Sequence, residues 1–360
     1  MNPLIISQYT DKIHGIPRYA IELTKNNPSS NILRYNTPEN TPPMLNGQTI
    51  QWKRPKNSVP IASGKFVKHP IKLRKLDADI YHAADPRETL PLWIAGRKPL
   101  VTTVHDLIVY KYPQTFERRW VYLSRLYLQF LNRSDRIIAV SESTKADAIE
   151  ILNIPAKKID VVHHGINDQF CVLPIEEIEV ELEWPTVLMV GQPQPRKNHD
   201  RVAAAIADLH ERGIYAHLYI VGAEDYQLDN LPPDGADIDD YLHATGYVSD
   251  EELVEYYNAA NVVAVPSHYE GFGFPVLEGM ACGTPVVTSN TSSLPEIAGN
   301  AAICVDPKST EAIADGLEAV LTDDAKSRIL VNRGKKHVSE FTWERTAKET
   351  RTVYKKVLYD

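Results

Sequence analysis

The sequence predicts an α/β protein of two Rossmann-like domains, each a parallel sheet wound with helices. Three observations carry this. A chain of 360 residues exceeds what one hydrophobic core usually organises. Short valine- and isoleucine-rich runs alternate with amphipathic helical stretches, the pattern of parallel sheets. The alternation breaks over 167–184, an acidic stretch containing Pro174, and then restarts; such a composition suits an interdomain linker.

In the first half, strands are expected over 3–9, 31–35, 48–52, 78–82, 99–104, 135–141 and 159–165. A helix over 16–25 places Ile16, Ala20 and Leu23 on one face. Another over 116–132 carries Trp120, Leu123, Tyr127, Phe130 and Leu131, and most of its aromatic content should be core. Ser141 is placed to cap a helix over 142–152. His105 falls at the carboxyl end of the 99–104 strand, where ligands collect in open parallel sheets, although a lone rim histidine can equally be structural.

The second half opens with a strand over 186–190, then Gly191, Arg196, Lys197 and Asn198, and a helix over 199–212. Two cations between a strand end and a helix start suit a pyrophosphate: arginine forks onto oxygens and lysine supplies a point charge. Strands over 215–221, 244–248, 261–266, 285–289 and 303–305 follow, with helices over 310–321 and 324–340. The stretch 267–288 organises the rest. Gly271 and Gly273 let backbone approach a ligand, Pro275 suits the first helical turn, and N–H groups opening that helix favour phosphate or sugar oxygens. Glu270 before the helix and Glu278 one turn inside it can accept hydrogen bonds from a sugar and a ribose of one ligand. The bland reading makes Glu270 a solvated loop residue and Glu278 a helix charge.

The string Glu-Gly-Phe-Gly-Phe-Pro-Val-Leu-Glu-Gly-Met-Ala-Cys-Gly-Thr-Pro-Val-Val, from Glu270, resembles the Glu-x7-Glu signature of glycosyltransferase family 4. Those are retaining GT-B enzymes using nucleotide-sugar donors. The resemblance covers nearly the whole chain, strongest over 185–306 and weak over 26–77. It implies a GT-B architecture: an acceptor-side domain over 1–170, a donor-binding domain over 171–343 facing it across a cleft, and a terminal helix over 344–360 returning to the first domain.

By the same resemblance, Glu270 and His105 are the catalytic candidates. Arg196 and Lys197 inherit diphosphate binding, Glu278 the ribose, and Gly271, Phe272, Gly273 and Phe274 present backbone groups to sugar and phosphate. Gly15 belongs to a first glycine loop, where His14 stands for the usual second glycine. His164 replaces the asparagine that usually ends the first domain's last strand, and Gln192 departs from a Gly-Arg opening. The implied reaction moves a sugar, for example mannose or glucose, from a nucleotide diphosphate to a hydroxyl acceptor during glycan, polysaccharide or glycolipid assembly. The implied mechanism is front-face attack with helix N-termini and cations stabilising the leaving diphosphate. No metal or other cofactor is expected. Asp77 and Asp79, and Asp237 and Asp239, have Asp-x-Asp spacing, but the first pair precedes a core strand and the second lies in an acidic loop. A sugar-nucleotide epimerase and a non-catalytic sugar-nucleotide-binding protein are the alternatives on this scaffold.

Composition, at 43% hydrophobic and 24% charged, is that of an ordinary globular protein, with no run long enough for a membrane span and no signal-peptide pattern at Met1. A cytoplasmic location is expected. Cys171, Cys282 and Cys304 lack metal spacing and are expected to be buried reduced thiols. Net charge is -8, but residues 1–170 hold 24 basic and 15 acidic side chains, against 15 and 32 in 171–360. No acid occurs over 51–75, where Lys53, Arg54, Lys56, Lys65, Lys68, Lys72, Arg74 and Lys75 accompany Trp52 and Phe66. That run is either a solvated face or a docking surface for an anionic membrane or phosphate-linked lipid acceptor; no nucleic-acid motif accompanies it.

Overall fold

The computed structural model describes residues 1–8, 16–27, 29–35, 50–52, 69–223 and 239–359. Gly15, His14, Asp237 and most of the basic run, 53–68, lie outside them. Two compact units divide the chain, Met1–Gly165 with Thr342–Asp360, and Ile166–Phe341.

In the first unit, seven strands form a parallel sheet ordered β3-β2-β1-β4-β5-β6-β7. They are β1 (Pro3–Gln8), β2 (Asn31–Tyr35), β3 (Ile50–Trp52), β4 (Ile80–Ala83), β5 (Leu100–Val104), β6 (Arg136–Ala139) and β7 (Ile159–Val161). β4 and β5 are buried throughout, as crossover helices on both faces require. Ser141 caps the helix Glu142–Leu152, its hydroxyl accepting from Thr144 N at 3.0 Å. The terminal helix Trp343–Tyr359 buries Val353 and Tyr354 against Ile80, Val101, Ile138 and Val162, and Trp343 and Ala347 against Ile5, Tyr19 and Leu23. Each fully buried large apolar side chain contributes about 1.5–3 kcal/mol, which holds this last segment on the sheet of the first.

The second unit has six parallel strands ordered β10-β9-β8-β11-β12-β13. They are β8 (Thr186–Val190), β9 (His217–Val221), β10 (Leu242–Gly246), β11 (Val262–Val265), β12 (Val286–Ser289) and β13 (Ile303–Val305). Val187, Met189, Leu218, Ile220, Val262 and Val287 pack with Val202 and Ile206 of helix His199–Glu211 and Ile313 and Leu317 of helix Thr310–Leu321. Strand order reverses between β8 and β11, which makes the carboxyl ends of those two strands the place where a ligand meets the sheet.

Two expectations need correction. The 116–132 helix is shorter, Arg118–Gln129 followed by a 3₁₀ turn, and Trp120 and Tyr122 are exposed while Tyr127 and Leu131 are buried. The apolar stripe therefore follows Tyr127 and Leu131, and aromatic content alone misplaced the core. All three cysteines are free, but only Cys282 is buried; Cys171 and Cys304 are exposed. No helix among the described residues is long and apolar enough to cross a membrane.

Candidate active site

The loops that follow β8 and β11 both stand at the reversal point of the second sheet. After β8 the chain turns through Gly191, whose φ of +112° an L side chain rarely adopts and whose Cβ would lie 2.8 Å from Lys197 Nζ. Arg196 and Lys197 share one 3₁₀ turn, Pro195–Lys197, ahead of helix His199–Glu211. Asn198 anchors that turn in the left-handed region, φ +67°, and its Nδ2 donates to Pro266 O at 3.0 Å and Pro307 O at 2.7 Å. β8, β11 and the loop after β13 are thereby tied at one amide.

After β11, Glu270 meets both cations. Arg196 Nη1 lies 2.8 Å from Oε2 and Lys197 Nζ 3.3 Å from Oε1, with Ser267 Oγ donating to Oε1 at 3.2 Å. Burial opposes ionisation of Glu270, but Lys197 and Arg196 outweigh it and hold the carboxyl below the ordinary carboxylate range. Arg196 also donates to Tyr269 O and to Gln194 Oε1, so its guanidinium is fixed in plane.

The glycine loop is clamped from behind by two serines. Glu270 N donates to Ser292 Oγ at 3.1 Å, and Ser293 Oγ lies 2.9 Å from Glu270 O and 2.6 Å from Phe272 O. Phe272 itself is buried, edge-on to Phe274 at 5.1 Å. Its side chain therefore builds the loop. Gly273, φ +121°, precedes helix Phe274–Ala281, and a Cβ there would meet Leu294 Cδ2 at 2.8 Å. One turn inside, Glu278 is 9% exposed and accepts from Tyr257 Oη at 2.6 Å through Oε2.

His105 belongs to the first unit, just beyond β5. Its Nε2 faces Ala84 O at 2.8 Å; a carbonyl only accepts, so Nε2 carries the proton. Nδ1 then accepts from Nε2–H of His164 at 3.2 Å, and the rings lie 5.3 Å apart and nearly parallel. Burial lowers the proton affinity of both rings, so both are neutral. Both nitrogens of His105 are thus engaged within the protein. It borders a pocket of about 240 Å³ lined by Asp85, Arg87, Asp106, Trp120 and Tyr127 among others. Behind it His82 Nε2 is 2.8 Å from Thr103 Oγ1 and its Nδ1 is 2.6 Å from Tyr354 Oη.

The structure gathers Arg196, Lys197, Gly271, Phe272, Gly273, Phe274, Glu270 and Glu278 at one end of one sheet. Asp79 accepts from Asn2 N at 2.6 Å, a terminal tie rather than part of a site. Sequence reasoning missed Ser292, Ser293 and Tyr257, and saw Asn198 only as part of a motif. Their partners are brought near by strand pairing, and no local spacing signals them.

The profile described as glycosyl transferases group 1 matches residues 175–337, and that of glycosyltransferase family 4 matches residues 45–170. The Escherichia coli O-antigen chain mannosyltransferase B is 32% identical over 267 residues, 71% of this chain and 70% of that protein. This chain belongs to glycosyltransferase family 4. Among solved structures, sucrose-phosphate synthase from Thermosynechococcus elongatus superposes with a TM-score of 0.77 at 23% identity, covering 99% of this chain and 98% of that one. The Anabaena protein HepE, solved with UDP-glucose, superposes with a TM-score of 0.75 at 17% identity, covering 99% and 100%. The family 4 chain therefore has the two-domain α/β fold of GT-B glycosyltransferases.

Proposed function

We propose that this glycosyltransferase is a retaining, metal-independent hexosyltransferase, mannosyl or glucosyl, that acts in the cytoplasm on a glycan or lipid-linked hydroxyl acceptor. The observation that carries the reading is the contact of Arg196 and Lys197 with one buried carboxylate, Glu270, at the switch point of the sheet. A diphosphate bears more charge than a carboxylate, so a donor would draw both cations onto its phosphates. Glu270 Oε1 and Oε2 would then accept hydroxyls of the transferred sugar. The cations and the start of helix Phe274–Ala281 stabilise the departing diphosphate, whose oxygen takes the acceptor's proton on the same face. Glu278, oriented by Tyr257, holds the ribose, and His105 is the first unit's catalytic candidate.

The mannosyl reading is supported by the O-antigen relative, and the absence of a metal requirement by cations standing where a metal would otherwise neutralise phosphate. The test is transfer from UDP-, GDP- and ADP-hexoses to a panel of glycans in chelator, with the product anomer read by NMR. An inverted anomer, or transfer only with added divalent ion, overturns the corresponding part. Contact with an anionic membrane through 53–75 rests on sequence. Among the described residues of that run, Arg74 and Lys75 are exposed. Co-sedimentation with anionic but not neutral vesicles, lost when Lys65, Lys68, Lys72 and Lys75 become Gln, tests it.

A further inference from the structure

At the opposite end of the second sheet, three side chains unrelated to the glycine loop after β11 converge. His217 opens β9 and His243 lies in the edge strand β10, paired opposite Tyr219, so the two imidazoles project from the same face of adjacent strands. His217 Nδ1 and His243 Nε2 are 3.1 Å apart, in rings inclined by only 21°. Glu183, in the segment entering β8, brings its carboxylate 3.5 Å from His217 Nε2. One ligand atom from each of the three lies within 4.8 Å of the others.

We propose that Glu183, His217 and His243 form a binding site for a borderline divalent transition ion, with Zn²⁺ the ordinary occupant. Two nitrogens and a carboxylate oxygen are a donor set for zinc rather than for magnesium or calcium, which take oxygen ligands. Two ligand nitrogens on a tetrahedral zinc stand about 3.3 Å apart, given Zn–N bonds of about 2.0–2.1 Å, so the facing nitrogens need little movement. Glu183, two-thirds exposed, can swing its carboxylate to the third position. Around these ligands the framework is built: Glu183 N donates to Tyr219 Oη at 3.2 Å, Tyr219 stacks on His243 at 4.3 Å, and His217 N donates to Pro185 O at 2.8 Å. A metal here would clip the segment entering β8 to the edge strand β10. All strands of the sheet are parallel, so this site, at their amino ends, is remote from Arg196 and Glu270 at the carboxyl ends.

The test uses the full chain stripped with chelator. Calorimetric titration with Zn²⁺ should show one equivalent bound and a raised Tm, and Co²⁺ should give the visible absorption of a tetrahedral ion without a thiolate charge-transfer band. His243→Ala and Glu183→Gln, both outside the core, should each weaken binding by at least about tenfold while circular dichroism stays unchanged. No binding by the native chain, unaltered affinity in both variants, or a cobalt–thiolate band would overturn the site.

Discussion

Arg196 Nη1 lies 2.8 Å from Glu270 Oε2, so a cation assigned to diphosphate and a carboxylate assigned to sugar are partners of one another. The pair is formed across the switch point, Arg196 following β8 and Glu270 following β11. This coupling makes the two roles experimentally separable.

Replacing Glu270 by Gln removes the charge that competes with a diphosphate. Affinity for a free nucleoside diphosphate should rise several-fold while turnover at saturating donor and acceptor falls by about tenfold or more. Calorimetry and steady-state kinetics read the two effects. Unchanged turnover would take Glu270 out of the sugar site.

Lys197→Ala should weaken nucleoside-diphosphate binding by about 10- to 150-fold, the equivalent of about 1.5–3 kcal/mol for a charge-assisted hydrogen bond. The bare nucleoside should bind as before, because only the phosphates need a cation there. Equal loss for both ligands would show that the turn, and not the charge, had been damaged.

Tyr257→Phe strips Glu278 of its 2.6 Å donor within a buried setting. Stability should fall by about 1–3 kcal/mol, the cost of leaving a buried acceptor short of a partner. Donor KM should rise with kcat little changed, since a ribose contact is made alike in ground and transition states. A kcat effect at constant KM would place Glu278 nearer the reacting atoms.

Acidification should destabilise both units. Burial pushes His82 down to about 3 and His199 to about 4, and lowers His164 and His105. Each is neutral when folded yet takes a proton in the unfolded chain near its ordinary value of about 6.5. The unfolded state thus binds more protons, and the stability present above about 6.5 is lost as pH falls toward the folded values. The slope is at most about 1.4 kcal/mol per pH unit for each histidine. Thermal melts between pH 7 and 5 measure it, and His82→Gln should flatten the first unit's share. A melt independent of pH across that window would contradict the assigned neutral states.

Periodicity and turn chemistry alone placed β8, β13 and the helices Ile16–Lys25, Glu142–Leu152 and Thr310–Leu321 at their observed bounds. Local physics suffices there: a short apolar run bounded by proline and glycine has few alternatives, and Ser141 caps its own helix. The glycine loop after β11 was legible for the same reason, since Gly271, Gly273 and Pro275 are local demands of one strand-to-helix turn. Glu270, Arg196 and Lys197 could be named as ligand groups from their places beside strand ends. Their direct contact with one another depends on β8 and β11 being neighbours, which strand order decides. Trp120 shows the limit on the other side: its aromatic character suggested core, and only the packing of its helix through Val121, Tyr127 and Leu128 left it at the surface. His105 could be located at a strand end, but the tautomer that His164 and Ala84 impose on it requires three segments to meet. Hydrogen bonds between residues far apart in sequence, such as Ser293 to Phe272 and Tyr257 to Glu278, leave no periodic trace in the chain. They arise because burial forces each polar group to find whatever partner the sheet brings within reach.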